Sequence, residues 1–314
     1  MILALAGGVG GSKLVNGLAK CLAPTELVVA VNTGDDFRHL GLFVSPDLDT
    51  VMYTLAGRNN ATTGWGLEGE TWQFMDALAQ LGGETWFRLG DRDLATHVVR
   101  TRRMAEGATL SQVTVALCAA FGVEHPVVPM SDEPVATIVH TDAGSLPFQQ
   151  YFVRHQSRPV AIGVEYTGAA EARPSAAFRS ALTDARLRAI IVAPSNPFLS
   201  IGPILAVNGV REAIAQAAVP VVAVSPIIGG ETVKGPAAKI MRELGYPASA
   251  ATLGKLYAGL VDGLVIDERD RGIRGEIEAM GLRACVTGTL MRNVEDQARL
   301  ARTTLDFAAR IARP

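Results

Sequence analysis

Two stretches carry residues whose types and spacing could do chemistry. The first is LALAGGVGGSKL, Leu3 to Leu14, where Gly7, Gly8, Gly10 and Gly11 precede Ser12 and Lys13. A dinucleotide fingerprint starting at Gly8 and Gly10 needs a third glycine where Lys13 stands. A Walker loop needs Gly-Lys-Ser/Thr, and here the order is Gly11-Ser12-Lys13-Leu14. What survives is shared physics. Glycines let a backbone approach an anion, a following helix presents N–H groups, and Lys13 adds a charge. The second stretch, NTGDDFRHLGLFVSPDLDT, places Asp35, Asp36, Asp47 and Asp49 close together. Carboxylates gathered beside a phosphate repel one another and the ligand. A divalent cation removes both conflicts, and magnesium is suited to one or two carboxylates plus phosphate oxygens. The plainer alternatives are helix N-capping by Asp47 or Asp49 and a ribose contact from Asp35.

Further polar segments surround these. FRLGDRDLATHVVRT, Phe87 to Thr101, reads as a helix start capped by Asp91 or Asp93, with Arg88 and Arg92 at its mouth and His97 one turn after Asp93. APSNPFLSIGPI sets Ser195 and Asn196 between two prolines, a rigid presentation of hydroxyl and amide. VSPIIGGETVKGPAAK repeats that arrangement around Lys234. There is no G-x-S-x-G elbow and no recognisable Cys/His dyad, so covalent catalysis has no support.

The elements that must position these residues follow from periodicity. Ile2 to Ala6, Leu27 to Val31, Ala189 to Val192, Val219 to Val224, Gly263 to Ile266 and Ala284 to Val286 read as buried strands. Ser12 to Cys21, Val210 to Ala217 and Ala237 to Leu244 read as helices. Between the halves, Glu70 to Leu81, Asp93 to Ala105 and Leu110 to Phe121 read as helices without intervening strands. Thr109 and Gln112 form a capping box for the last of these, which Gly122 closes. Ala136 to His140 and Phe148 to Val153 read as a hairpin. The expected fold is α/β, a Rossmann-like doubly wound and mainly parallel sheet. The expected division is a single domain with a core over 1–56 and 123–314 and a mostly helical insertion over about 57–122. In such a sheet ligands sit at the carboxyl ends of the strands, which brings the glycine turn and the aspartates together.

Composition narrows the class. The chain has 314 residues, 48% of them apolar, and a formal net charge of −2. That charge gives no electrostatic reason for nucleic acid or an anionic membrane as partner. The longest largely apolar run, Val113 to Phe121, interrupted by Thr114, is far below the ~20 residues of a bilayer span. Cys21, Cys118 and Cys285 are too few and too scattered for a disulfide framework or a zinc site. No basic leader precedes the first strand, and the cytoplasm is the expected location.

Taken in order, LAGGVGGSKL, VNTGDD, SPDLDTVMYTLAG, LGDRDLATH, MSDEPV, APSNPFLSIGPI, SPIIGG and KGPAAK make the chain resemble the CofD family, the 2-phospho-L-lactate transferases of coenzyme F-420 biosynthesis. The resemblance runs nearly end to end. It implies transfer of a phospho-acid (phospholactyl, phosphoenolpyruvyl or phosphoglyceryl) from its guanosine diphosphate adduct to the ribityl hydroxyl of the deazaflavin Fo. The products would be F-420-0 and GMP. It also implies magnesium and a homodimer. Carried over residue by residue, it gives Asp49 and Arg88 as Fo contacts, with arginine standing where related members have lysine. Asp35 and Asp49 become metal ligands and catalytic groups, with Asp36 and Asp47 in reserve. Gly8, Gly10, Gly11, Ser12, Lys13, Ser195 and Asn196 fall on the nucleotide side. Two other readings stand beside it. One is a nicotinamide-dependent dehydrogenase. The other is a nucleotide or nucleotide-sugar binding regulatory protein of the related family, which would keep the glycine turn and lack the Fo site.

Overall fold

A computed structural model describes residues 1–311. Its centre is a sheet of seven parallel strands in the spatial order Arg283–Val286, Gly263–Ile266, Val221–Val224, Ala189–Val192, Ile2–Ala6, Leu27–Val31 and Val127–Pro129. Alternation along each strand sends side chains to opposite faces, and here both faces are buried. Leu3, Leu5, Ile190 and Val192 join one core, while Ile2, Ala4, Ala6 and Ile191 join the other. That is why these strands read as unbroken apolar runs. The chain starts mid-sheet, proceeds through Leu27–Val31 to one edge, and returns at Ala189–Val192 to build the other half. The strand order therefore reverses between Ile2–Ala6 and Ala189–Val192, the place where an open α/β sheet leaves a crevice.

Four of the expected strands have the observed bounds, and Val221–Val224 and Arg283–Val286 differ by two residues and one. The first helix differs more. It runs Gly8–Ala19, so the glycines form its opening turn and not a loop before it. In the middle of the chain lie the helices Gln73–Gln80, Asp91–Ala105 and Leu110–Phe121. The Thr109/Gln112 capping box is present, and Gly122 ends its helix in the left-handed conformation. Leu110, Val113 and Leu117 pack into the same core as Leu14 and Val15, so this last helix also covers one face of the sheet.

The expected hairpin is half right. Ala136–Thr141 is a strand, but its partner is Gly144–Pro147, with Ala161–Thr167 on the other side. Gly144, at φ +111°, turns the chain straight after Thr141, which starts the return strand early. Phe148 to Val153 leads instead into the helical turn Gln150–Arg154. Its Phe148 and Phe152 rings stack 5.5 Å apart, a spacing of four and not of two.

Candidate active site

The glycine turn is shaped first by protein, before any ligand. A side chain at Gly10 would run into the Pro194 carbonyl, and one at Gly11 into Ser195 Oγ. Gly7 is pressed against Asp47 in the same way. The absence of Cβ thus lets the turns after two neighbouring strands nest at the point where strand order reverses. Ser195 ties them, accepting from the Gly7 N–H at 3.1 Å and donating to the Gly7 carbonyl at 2.8 Å. Asp47 accepts from the Gly8 N–H at 2.7 Å and so sits at the N-terminus of Gly8–Ala19.

A cavity of about 750 Å³ opens over this crevice. Its wall includes Gly8, Gly10, Lys13, Ser195 and Asn196. Asp35, Asp47, Asp49 and Arg88 line it too, beside the aromatic side chains Trp65, Trp86, Phe87, Phe148 and Phe152. Gly11 and Ser12 lie behind the turn, with Ser12 Oγ donating to the Val9 carbonyl at 3.0 Å. Lys13 is held by the Met291 carbonyl at 3.0 Å, and burial lowers its pKa, aided by the nearby Lys234 charge. Asn196 caps the turn that follows it, accepting from the N–H groups of Phe198 and Leu199 at 2.9 and 3.1 Å, while its Nδ2 is buried without a partner. Arg88 lies over the Trp72 ring at 4.1 Å.

The aspartates of the second stretch separate by what surrounds them. Asp47 and Asp49 occupy the first turn of the helix Pro46–Leu55. Asn32 Nδ2 bridges Asp35 Oδ1 at 3.2 Å and Asp47 Oδ2 at 2.9 Å, and Gln149 Nε2 reaches Asp35 Oδ2 at 3.3 Å. Asp36 accepts from Ser45 Oγ at 2.5 Å, and its other oxygen is buried without a partner. Burial drives Asp35 well above the ordinary carboxylate range, and the charge of Asp47 adds to it. Burial likewise raises Asp36, against its bond from Ser45, and lifts Asp47 to about 6.

Asp49 has a different partner. Arg100, the bulkiest of the fully buried side chains, donates from Nη1 to Asp49 Oδ2 at 3.0 Å and from Nη2 to Asp49 Oδ1. Burial still raises Asp49, with the Arg100 and His97 charges pulling against it. Arg100 Nη1 also lies 3.2 Å from His97 Nδ1. His97 Nε2 lies 3.4 Å from Asp93 Oδ2, and Tyr53 donates to Asp93 Oδ1 at 2.6 Å. Burial works against the Asp93 charge, yet His97 and Tyr53 hold its pKa below the usual value. Ligand atoms of Asp49, Asp93 and His97 fall within 4.8 Å of one another, a spacing that could hold a metal ion. The Arg100 guanidinium already supplies positive charge there.

Arg100, Tyr53, Asn32 and Gln149 were not legible as site residues. Asp93, His97 and Arg100 fall at positions i, i+4 and i+7 of one helix, and all three are buried. That buried polar stripe is the signal that could have found Arg100. The cap of their helix also differs from expectation. Glu70 accepts from the N–H groups of Arg92 and Asp93 at 2.8 Å, and a side chain at Gly90 would strike its carboxylate. Asp91 instead caps the preceding helix, accepting from the N–H groups of Gln73 and Phe74 at 3.0 and 3.1 Å.

Comparison with known proteins supplies the lineage. A family model described as 2-phospho-L-lactate transferase CofD matches residues 2–280. A Streptomyces griseus protein named Phosphoenolpyruvate transferase is 43% identical over 99% of both chains. A Methanosarcina acetivorans protein named 2-phospho-L-lactate transferase is 38% identical over 96% of both. Among solved structures, a UPF0052-family protein from Bacillus halodurans shares the fold, with a TM-score of 0.63 at 15% identity, covering 97% of this chain and 98% of that one. A seven-stranded parallel sheet with the glycine turn and the aspartates at its crevice, matched nearly end to end, shows that the chain belongs to the CofD family.

Proposed function

We propose that the protein transfers a phospho-acid group from its guanosine diphosphate adduct to the ribityl hydroxyl of Fo, giving an F-420-0 type product and GMP. The observation that carries this reading is one continuous cavity of about 750 Å³, lined both by the glycine turn with Lys13 and by Asp49, Arg88 and the aromatic side chains. Phosphoryl transfer asks for positioning and charge neutralisation more than for a covalent nucleophile, and a shared cavity lets donor and acceptor meet.

In this reading Gly8, Gly10, Lys13, Ser195 and Asn196 take the nucleotide diphosphate, with Gly11 and Ser12 supporting the turn. Arg88 and Asp49 take Fo, and Asp49 or Asp35 orients the attacking hydroxyl or accepts its proton. Asp35 and Asp49 are the proposed magnesium ligands: both are oxygen donors on the cavity wall, and Asp35 is buried beside Asp47 with only amides as side-chain partners, a charge that lacks compensation. When bound, the ion offsets diphosphate charge and stabilises the leaving phosphate. Each Asp49 oxygen has a second acceptor site beyond its bond from Arg100, so the arginine does not exhaust it.

The division into a core over 1–56 and 123–314 and an insertion over about 57–122 belongs to the same proposal, with the insertion contributing Arg88, Asp93 and His97 to the cavity. So do the homodimer that the family resemblance implies and the expected cytoplasmic location; no described helix is long and apolar enough to cross a membrane. Among the three acids we favour enolpyruvate, because the relatives at 43% identity over 99% of this chain are named Phosphoenolpyruvate transferase. The test is to mix the protein with Fo, magnesium and each guanosine adduct in turn and to weigh the product. The enolpyruvyl product is expected to dominate, and no product from any adduct overturns the assignment.

A further inference from the structure

We propose that Arg100 is a positioning residue for the transfer, which fixes the Asp49 carboxylate in the orientation that meets the acceptor hydroxyl. The inference rests on the transferase reading and assigns a role that reading leaves open. Arg100 is not on the cavity wall, whereas Asp49, Tyr53, Asp93 and His97 all are. It therefore acts on the substrate only through the wall side chains it holds, Asp49 by two bonds and His97 by one contact.

The geometry is that of a clamp. A planar fork that binds both oxygens of a carboxylate sets its rotation as well as its place, which a point charge would not do. The lone pairs Arg100 leaves unused are those Asp49 can turn toward the cavity it lines. Arg100 is itself braced: Nη1 reaches His97 Nδ1, His97 Nε2 faces Asp93, and Tyr53 donates to the far oxygen of Asp93. One run of side chains thus ties the helix Pro46–Leu55, which carries Tyr53 and Asp49, to the helix Asp91–Ala105, which carries the rest.

A purely structural bolt between two helices is the competing explanation, and two observations weigh against it. Apolar side chains join buried helices at least as well as an ion pair does. Arg100 Nε is also buried without a partner, a cost that a bolt chosen for stability would avoid. The arrangement is what a site needs when a carboxylate must be held still for a reaction.

The test compares Arg100→Lys, Arg100→Gln and wild type by four readouts: thermal midpoint, GDP affinity, Fo affinity by Fo fluorescence, and kcat with KM for Fo. Lysine keeps the charge and loses the fork. The expected result is a kcat lower by about 10- to 100-fold in Arg100→Lys, the scale set by small misplacements of a reacting group. GDP affinity should stay within about twofold. Arg100→Gln should fall further, so that lysine gives partial rescue; if the glutamine variant does not fold, the lysine variant decides alone. Arg100→Lys with wild-type kcat and KM overturns the proposal, as does a loss of GDP affinity in proportion to turnover. Wild-type protein that neither binds Fo nor forms product overturns the transferase reading as well, which separates that failure from this one.

Discussion

Two groups of acidic side chains meet at the cavity, with Asp35, Asp47, Asp49 and Asp93 on its wall and Asp36 off it, and they differ in what neutralises them. Asp49 and Asp93 are met by a guanidinium, an imidazole and a phenol, in Arg100, His97 and Tyr53. Asp35, Asp36 and Asp47 are met by amides, a hydroxyl and a backbone N–H, from Asn32, Gln149, Ser45 and Gly8. Neutral donors solvate a carboxylate without offsetting its charge. The pKa directions show the contrast at Asp93, which is lowered although buried; burial still raises Asp49 against the pull of Arg100, and Asp35 and Asp36 rise well above the ordinary range. Protein cations and donors meet the first group, whereas the second has only neutral donors. In the proposed reading a cation would add the missing charge between Asp35 of the second group and Asp49 of the first.

Substitutions can break that comparison. The largest expected effect is on turnover: Asp49→Asn should lower kcat by about 10²–10⁴-fold, the range for losing a group that moves or orients a proton. Steady-state assay with Fo checks it, and an asparagine variant with full magnesium-dependent turnover would remove Asp49 from the mechanism. Next comes stability. Arg100→Met strands a buried carboxylate and should cost about 3–5 kcal/mol in denaturant melts. Asp47→Asn without divalent cation should cost nothing or stabilise, because it removes an uncompensated charge. Equal losses in both would dissolve the distinction between the groups.

A smaller effect concerns pH. The folded-state pKa of Asp47 is about 6, above its ordinary value of 3.8, so the folded state holds its proton more tightly than the unfolded chain does. The resulting stabilisation is present below about pH 4 and is lost as pH rises through about 6. Cation-free melts should therefore show a decline across that window which Asp47→Asn flattens, and magnesium should raise the midpoint more at pH 7.5 than at pH 5. The smallest effect lies outside both groups. Glu70→Ala removes a helix cap and should cost about 1 kcal/mol while leaving GDP affinity unchanged.

The central strands were legible because burial on both faces makes them uniformly apolar, as in Ile2–Ala6 and Ala189–Val192. The capping box at Thr109 was legible because it is local. What escaped was long-range. Glu70 caps a helix more than twenty positions away, and nothing between the two announces it. Arg100 escaped because an arginine on a helix reads as solvated, and only its partner on another helix makes burial possible. The sequence of the glycine turn suggests an anion cradle and does not show the close packing of Gly7, Gly10 and Gly11 against Asp47, Pro194 and Ser195, which lie far away in the chain.

The most direct test of the two-group account is cation binding itself. Manganese, as a paramagnetic stand-in for magnesium, can be titrated with GDP present and followed by electron paramagnetic resonance. Wild type should bind one ion tightly, Asp35→Asn should lose that site, and Arg100→Lys should retain it. Unchanged binding in Asp35→Asn, or no tight site in wild type, would contradict the account.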